Sequence, residues 1–307
     1  MEKTILITGG TGFIGSHLVA RSLSKGYRVT VLDLQPHTFA FPIDNAEQVE
    51  MLAADIAVSE SVHQALKGRS FHYVVNGAGY IDHTLFRDGG RRLIRQHFEG
   101  AMNLVEALDR DSLEGFVQIG SSDEYGDEPA PQTETMREAP ISPYSMGKAA
   151  ATQLLQMLHR TEGFPAVTTR FFLVYGPGQN AQRFLPQIIQ GCLHNTAFPT
   201  SYGGQLRDFC YVADIVDGVF LALETSKAHG EIVNLASGRG IAIREMIETV
   251  CRLIGKGRPE FGALPYRSGE NMRLYADIEK AGRLLGWKPV TSLEAGLEQT
   301  IHFYQHR

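Results

Sequence analysis

A chain of 307 residues is long enough for one large domain or two modest ones. With 43% hydrophobic and 21% charged residues it can bury a sizeable core, which excludes a disordered chain. A net charge of −5 argues against nucleic-acid binding, and neither a signal peptide nor a membrane-spanning apolar run is legible.

The chain opens on a predicted strand at 4–8, Thr-Ile-Leu-Ile-Thr, which runs into glycines at 9, 12 and 15. A helix is predicted at 13–25. Gly9 suits a turn that other residues avoid, Gly12 lets a pyrophosphate approach the backbone, and Gly15 lets helix and strand pack closely. The phosphates would rest on unpaired N–H groups at the helix N-terminus. The second strand, 28–32, ends at Asp33, whose carboxylate can accept bonds from ribose hydroxyls and would repel a 2′-phosphate. No Arg or Lys follows within Leu34-Gln-Pro-His37. The pair of features therefore reads as an NAD site rather than an NADP site.

Further strands are predicted at 49–53, 73–76, 115–119 and 166–171, alternating with helices at 59–67, 91–110 and 144–161. That order implies a parallel, doubly wound α/β sheet of Rossmann type, with ligands beyond the carboxyl ends of the strands. Asp55 follows the third strand, within reach of an adenine. Gly77-Ala-Gly79 follows the fourth and allows close passage of a cofactor. After about residue 176, Gly176-Pro-Gly178 breaks the pattern. A short helix is expected at 183–193, loops at 198–204 and 257–269, a returning sheet strand at 231–235 and an amphipathic helix at 293–305. The expected organisation is a dinucleotide-binding domain at 1–175 and a smaller, interleaved substrate lobe at 176–307. Cys192, Cys210 and Cys251 are odd in number and far apart in sequence. They predict reduced thiols in a cytoplasmic protein, with no metal site or disulfide framework.

Tyr144-Ser-Met-Gly-Lys148 opens a helix just after Pro143. Residues four apart share a helix face, so the phenol and the ammonium project together. A neighbouring lysine is expected to lower the tyrosine pKa, which would let Tyr144 move the proton of a carbinol during hydride transfer. Gly120-Ser-Ser-Asp-Glu-Tyr-Gly126 lies upstream at a strand end, where a hydroxyl can polarise the same substrate oxygen.

Taken together, these segments resemble the extended short-chain dehydrogenase/reductase superfamily, in its NAD-dependent epimerase/dehydratase branch. The resemblance spans nearly the whole chain. It is carried by Thr8-Gly-Gly-Thr-Gly-Phe-Ile-Gly15, Asp33, Asp55, Ser121, Tyr144-x-x-x-Lys148, Val174-Tyr-Gly-Pro-Gly178 and Arg207-Asp-Phe-Cys-Tyr-Val-Ala-Asp214. It implies catalysis by Ser121, Tyr144 and Lys148, with Asp123 as a further acid. It implies cofactor binding by Gly9, Thr11, Gly12, Phe13, Ile14, Gly15, Asp33, Asp55, Ile56, Ala78 and Gly79, together with Tyr144 and Lys148. It implies a nucleotide-diphosphate sugar held by Ser122, Arg207, Arg267 and Glu270.

The expected reaction is epimerisation or 4,6-dehydration of that sugar by hydride transfer to and from bound NAD. A 4-keto-sugar reductase, a nucleotide-sugar dehydrogenase and a non-catalytic NAD-binding relative are the alternatives. Gapless alignment on Tyr125-Gly126 makes Asp123 the acid of interest, whereas a one-residue gap would pair Asp123-Glu124 with the Asp-Glu couple of 4,6-dehydratases. Four positions depart from the family pattern. Leu173 stands where many members carry Asn. His97 and Ala101 stand where members carry Asn and Thr, and Gly120 replaces a frequent Ser. The family also implies a homodimer, for which Leu93, Met102, Leu104, Leu108, Leu154, Leu155 and Leu158 offer apolar surface.

Overall fold

The computed structural model describes residues 2–35, 38–266 and 269–306. Seven strands form one parallel sheet: β1 (Thr4–Thr8), β2 (Arg28–Asp33), β3 (Glu50–Ala53), β4 (Tyr73–Asn76), β5 (Gly115–Ser121), β6 (Ala166–Phe171) and β7 (Ile232–Leu235). Their order is β7-β6-β5-β4-β1-β2-β3. Parallel strands need helical crossovers, so both faces are covered and the strands read as nearly continuous apolar runs. β1 shows how its residues divide. Ile5 and Ile7 enter one core with Val29, Val31, Leu18 and Val19, while Leu6 enters the other with Val74, Leu104 and Leu155.

Around the sheet lie α1 (Phe13–Ser24), α2 (Ser59–Leu66), α3 (91–107), α4 (Pro143–Glu162), α5 (Phe184–Leu193), α6 (Val212–Glu224), α7 (Ile243–Ile254), α8 (Glu279–Leu285) and α9 (Leu293–Gln305). The strand order reverses beside β1, whose carboxyl end lies next to that of β4, with Thr8 opposite Asn76. This is the switch point at which α/β sheets open a ligand crevice.

Several expectations change. The helix expected at 91–110 ends at Ala107, and one turn of it, Arg95–Glu99, is a π-helix that carries His97. α6, α7 and α8 were not expected. α6 packs on the central sheet and β7 pairs with β6, so chain beyond residue 176 completes the dinucleotide-binding layer. The three cysteines are free, yet α5 and α7 bring the Sγ atoms of Cys192 and Cys251 to 3.4 Å. Five of the leucines expected at a dimer surface, Leu93, Leu104, Leu108, Leu155 and Leu158, are buried inside the single chain. Four of them, Leu104, Leu108, Leu155 and Leu158, join the core on one face of the sheet. Among the described residues, no helix is long and apolar enough to cross a membrane.

Candidate active site

A cleft of about 1,080 Å³ runs over the carboxyl ends of β1, β4 and β5, above the roughly 300–1,000 Å³ of an ordinary small-molecule pocket. Its glycine-rich end is built as a phosphate cradle. Gly9 has φ +70°, and a Cβ at Gly15 would stand 2.1 Å from the Gly9 carbonyl oxygen. Neither position admits a side chain without moving the turn. Gly12 precedes α1 with no side-chain cap, so the first-turn N–H groups face the cleft. Asp33 closes this end. Its Oδ2 accepts bonds from the Thr11 amide at 3.2 Å and hydroxyl at 2.6 Å, and its Oδ1 accepts one from the Leu34 amide at 2.9 Å. The carboxylate thus ties the loop to β2 and retains lone pairs for a ribose. Gly9, Thr11, Gly12, Phe13, Ile14 and Gly15 all line the cleft. The cradle, the open helix terminus and the carboxylate fit NAD.

A chain of hydrogen bonds fixes the floor. The Asn76 amide donates to Gln118 at 2.8 Å, the Thr8 hydroxyl donates to Asn76 at 2.6 Å, and the Ala78 N–H donates to the Thr8 hydroxyl at 3.1 Å. Ala78 and Gly79 thereby form cleft wall, as does Ile56. Asp55 is not among the cleft-lining residues. Its Oδ1 accepts from the Ala57 amide at 2.9 Å, and Ala54 and Ile56 form the wall there instead.

At the other end, Ser142 caps α4 and Pro143 occupies its first turn, which presents Tyr144 and Lys148 on one face. Both are buried and line the cleft. Lys148 Nζ donates to the Ile119 carbonyl at 2.7 Å and lies 6.0 Å from the Tyr144 ring centroid. Burial lowers its pKa to about 8, against a smaller upward pull from Glu124. The expected lowering of the Tyr144 pKa is not what the geometry produces. Burial pushes the phenol up and Asp123 pushes it further, while the Ser121 hydroxyl and Arg183 draw it back. The lysine charge is directed at a backbone carbonyl instead. Two imidazoles flank the phenol edge-on, His97 with its centroid at 5.0 Å and His83 at 6.1 Å. His97 donates from Nε2 to the Tyr80 carbonyl at 3.2 Å. Burial, and then Lys148, push its pKa down to about 3, so it stands as a neutral wall.

The two acids after Ser121 are sorted by a single 3-10 turn, Ser122–Tyr125. Glu124 turns inward and is fully buried. Its Oε1 accepts from the Ser121 amide at 2.8 Å, and its Oε2 accepts from Thr152 at 2.9 Å and from Arg170. Asp123 turns into the cleft beside Ser121 and Ser122. Burial raises its pKa, and His83, Arg183 and Arg207 moderate the rise while Glu124 adds to it. Gly120 now has a reason. A Cβ there would meet Glu124 Oε1 at 2.7 Å and Thr168 Cγ2 at 2.9 Å, so a side chain at 120 would crowd the inward acid.

Arg207 and Glu270 form an ion pair. Arg207 also donates to the carbonyls of Leu206 and Asn271, at 2.8 and 2.7 Å. Arg267 lies outside the described residues. Arg183 and His83 also line the cleft and were not anticipated. Arg183 precedes α5, and its only sequence signal was a cation at a helix start after Gly176-Pro-Gly178. His83 carried no signal beyond its place in the loop after β4.

The sequence model of the NAD-dependent epimerase/dehydratase family matches residues 5–236. A dTDP-glucose 4,6-dehydratase of Xanthomonas campestris pv. campestris is 29% identical over 98% of this chain and 93% of its own length. An uncharacterised UDP-glucose epimerase of Bacillus subtilis is 28% identical, covering 97% of each chain. The crystal structure of a UDP-glucose 4-epimerase from Thermotoga maritima, with UDP-glucose, superposes with a TM-score of 0.89 at 26% identity over 99% of both chains.

Proposed function

The chain belongs to the NAD-dependent epimerase/dehydratase family, and from that premise we propose that it is a nucleotide-sugar 4,6-dehydratase. It oxidises C4 of a nucleotide-diphosphate hexose, removes water across C5 and C6, and ends with no net redox change. NAD, when bound, supplies the hydride acceptor at C4 and the hydride that is returned. The remaining work falls to the chain. Tyr144 takes the proton of the C4 hydroxyl, and Ser121 donates to that oxygen as it becomes a carbonyl. Lys148 supplies positive charge beside the phenol. Arg183, which lines the cleft, offers guanidinium donors to the diphosphate, and Arg207 adds positive charge nearby.

The observation that carries elimination is the outward turn of Asp123, next to Tyr144 and Ser121, while Glu124 is withdrawn. Burial shifts this carboxyl toward its protonated form, the form that can give a proton to a leaving hydroxyl. Asp123→Asn is expected to leave formation of bound NADH intact and to lower release of the 4-keto-6-deoxy product by about 10²-fold or more. The measurement is single-turnover absorbance at the reduced-nicotinamide band, with product analysis, on dTDP-glucose and UDP-glucose. Unchanged product formation in the variant would leave C4 epimerisation as the reaction.

The active form is a homodimer in the cytoplasm, a setting that suits three free thiols. Met146 and Met157 are 46% and 40% exposed and lie eleven residues apart, on one face of α4. They, rather than the buried leucines, supply apolar contact. Light scattering is expected to return twice the chain mass, and a monomer at micromolar concentration sinks the proposal.

A further inference from the structure

Removing water next to a ketone takes two groups. A base removes the proton at C5, and an acid protonates the oxygen leaving C6. Asp123 is one such group. The second acid of the Asp-Glu couple that the sequence offers, Glu124, is held inside the protein by Arg170, Thr152 and the Ser121 amide. It faces away from the cleft, which leaves the place of the base to another group.

The loop after β4 supplies one. His83 lines the same cleft as Asp123, and its ring lies edge-on to Tyr144 with centroids 6.1 Å apart. It projects from a turn that is fixed on both sides. Asp82 Oδ1 accepts from the Thr84 amide at 2.7 Å and hydroxyl at 2.6 Å, and Asp82 Oδ2 pairs with Arg92 of α3 at 2.7 Å. His83 and Asp123 therefore reach the same cleft from different strand ends, and both lie near Tyr144. The other imidazole at the phenol, His97, is buried and donates its Nε2 proton to a backbone carbonyl. His83 is exposed to the open cleft.

We propose that His83 is the catalytic base that removes the C5 proton, with Asp123 as the acid that protonates O6. This rests on the 4,6-dehydratase reading. In the step, the C5–H bond breaks and the proton goes to the His83 imidazole. Its electron pair forms the C5=C6 bond, the C6–O6 bond breaks, and O6 leaves as water with the Asp123 proton. Neither an oxidant nor a reductant is consumed in this step. The C4 ketone produced by the first oxidation makes the C5 proton acidic. The proton held on His83 is then available to C5 when C6 is reduced.

The test uses NAD-loaded protein in D2O with dTDP-glucose, and in parallel with UDP-glucose, as probes. NADH absorbance reports oxidation of C4, and proton NMR reports deuterium at C5 and the 6-deoxy methyl group. In His83→Gln, bound NADH should form at close to the wild-type rate and persist, which also shows that the variant is folded and loaded. Deuterium entry at C5 and methyl product should both fall by about 10²–10⁴-fold. Asp123→Asn should differ by losing the methyl product while C5 still exchanges. C5 exchange in His83→Gln within about threefold of wild type overturns the assignment. Wild-type protein that forms NADH but never exchanges C5 also overturns it. Wild-type protein that forms no NADH from either probe overturns the nucleotide-hexose reading itself, and this inference with it.

Discussion

Tyr144→Phe lowers the single-turnover rate of NADH formation by about 10²–10⁴-fold, the scale set by a positioned acid–base group, and leaves NAD binding intact. The phenol combines burial, a neighbouring lysine and contact with the Ser121 side chain. The cradle that holds the cofactor lies at the other end of the cleft, on Gly9, Gly12 and Asp33, and loses nothing when the hydroxyl is removed. Burial opposes ionisation of the phenol while the Ser121 hydroxyl and Arg183 favour it, and the Lys148 ammonium, although bonded to the Ile119 carbonyl, adds positive charge on the same helix face. Lys148, with a pKa of about 8, carries that charge below this value and loses it above. Lys148→Met should therefore impair the same step. Ser121→Ala should cost less, because one donor is lost while the base remains. Double variants of the three should be less than additive, since all act in one transition state. Hydride transfer in Tyr144→Phe within about threefold of wild type would remove Tyr144 from the mechanism.

The parts of this site that were legible in the sequence are those fixed by local chemistry. The strand–glycine–helix unit at 4–24 needs only apolar β-formers and three small residues at fixed spacing. Tyr144 and Lys148 need only helical periodicity and a Ser-Pro start. What could not be read depends on one-residue rotations. Asp123 and Glu124 are neighbours with the same chemistry, and the 3-10 turn alone sends one to the cleft and the other to the interior. The π-turn at Arg95–Glu99 adds a residue to a helical turn without disturbing the polar and apolar pattern that predicts a helix. α6 was hidden because it follows directly on a short strand, Phe209–Tyr211, with no side-chain cap to mark where the helix begins. The dimer leucines failed for a related reason. Periodicity identifies an apolar face but not which neighbour covers it.

Arg170→Met destabilises the protein by about 3–5 kcal/mol, because it strands a buried carboxylate. Arg170 and Glu124 are both fully buried. The guanidinium donates to Glu124 Oε2 from Nε at 3.0 Å and from Nη2 at 2.9 Å, and Nη2 also reaches Glu138 at 2.7 Å. It lies over the Tyr125 ring, 4.4 Å from the centroid. Without it, Glu124 keeps its bonds from Thr152 and the Ser121 amide but loses its cation, and the polar bonds alone do not replace the charge. The midpoint of thermal unfolding, followed by circular dichroism, should fall by roughly 5–15 °C. Arg170→Met combined with Glu124→Gln should recover part of the loss, since an uncharged pair leaves no unpaired ion. The outcome bears on catalysis as well as stability. Glu124 Oε1 holds the Ser121 amide, and that segment sets both the Ser121 hydroxyl and the outward turn of Asp123. A single Arg170→Met variant that remains within about 1 kcal/mol of wild type would show that the pair is not a structural anchor. The inward acid would then have to be reconsidered as a group free to turn toward the cleft.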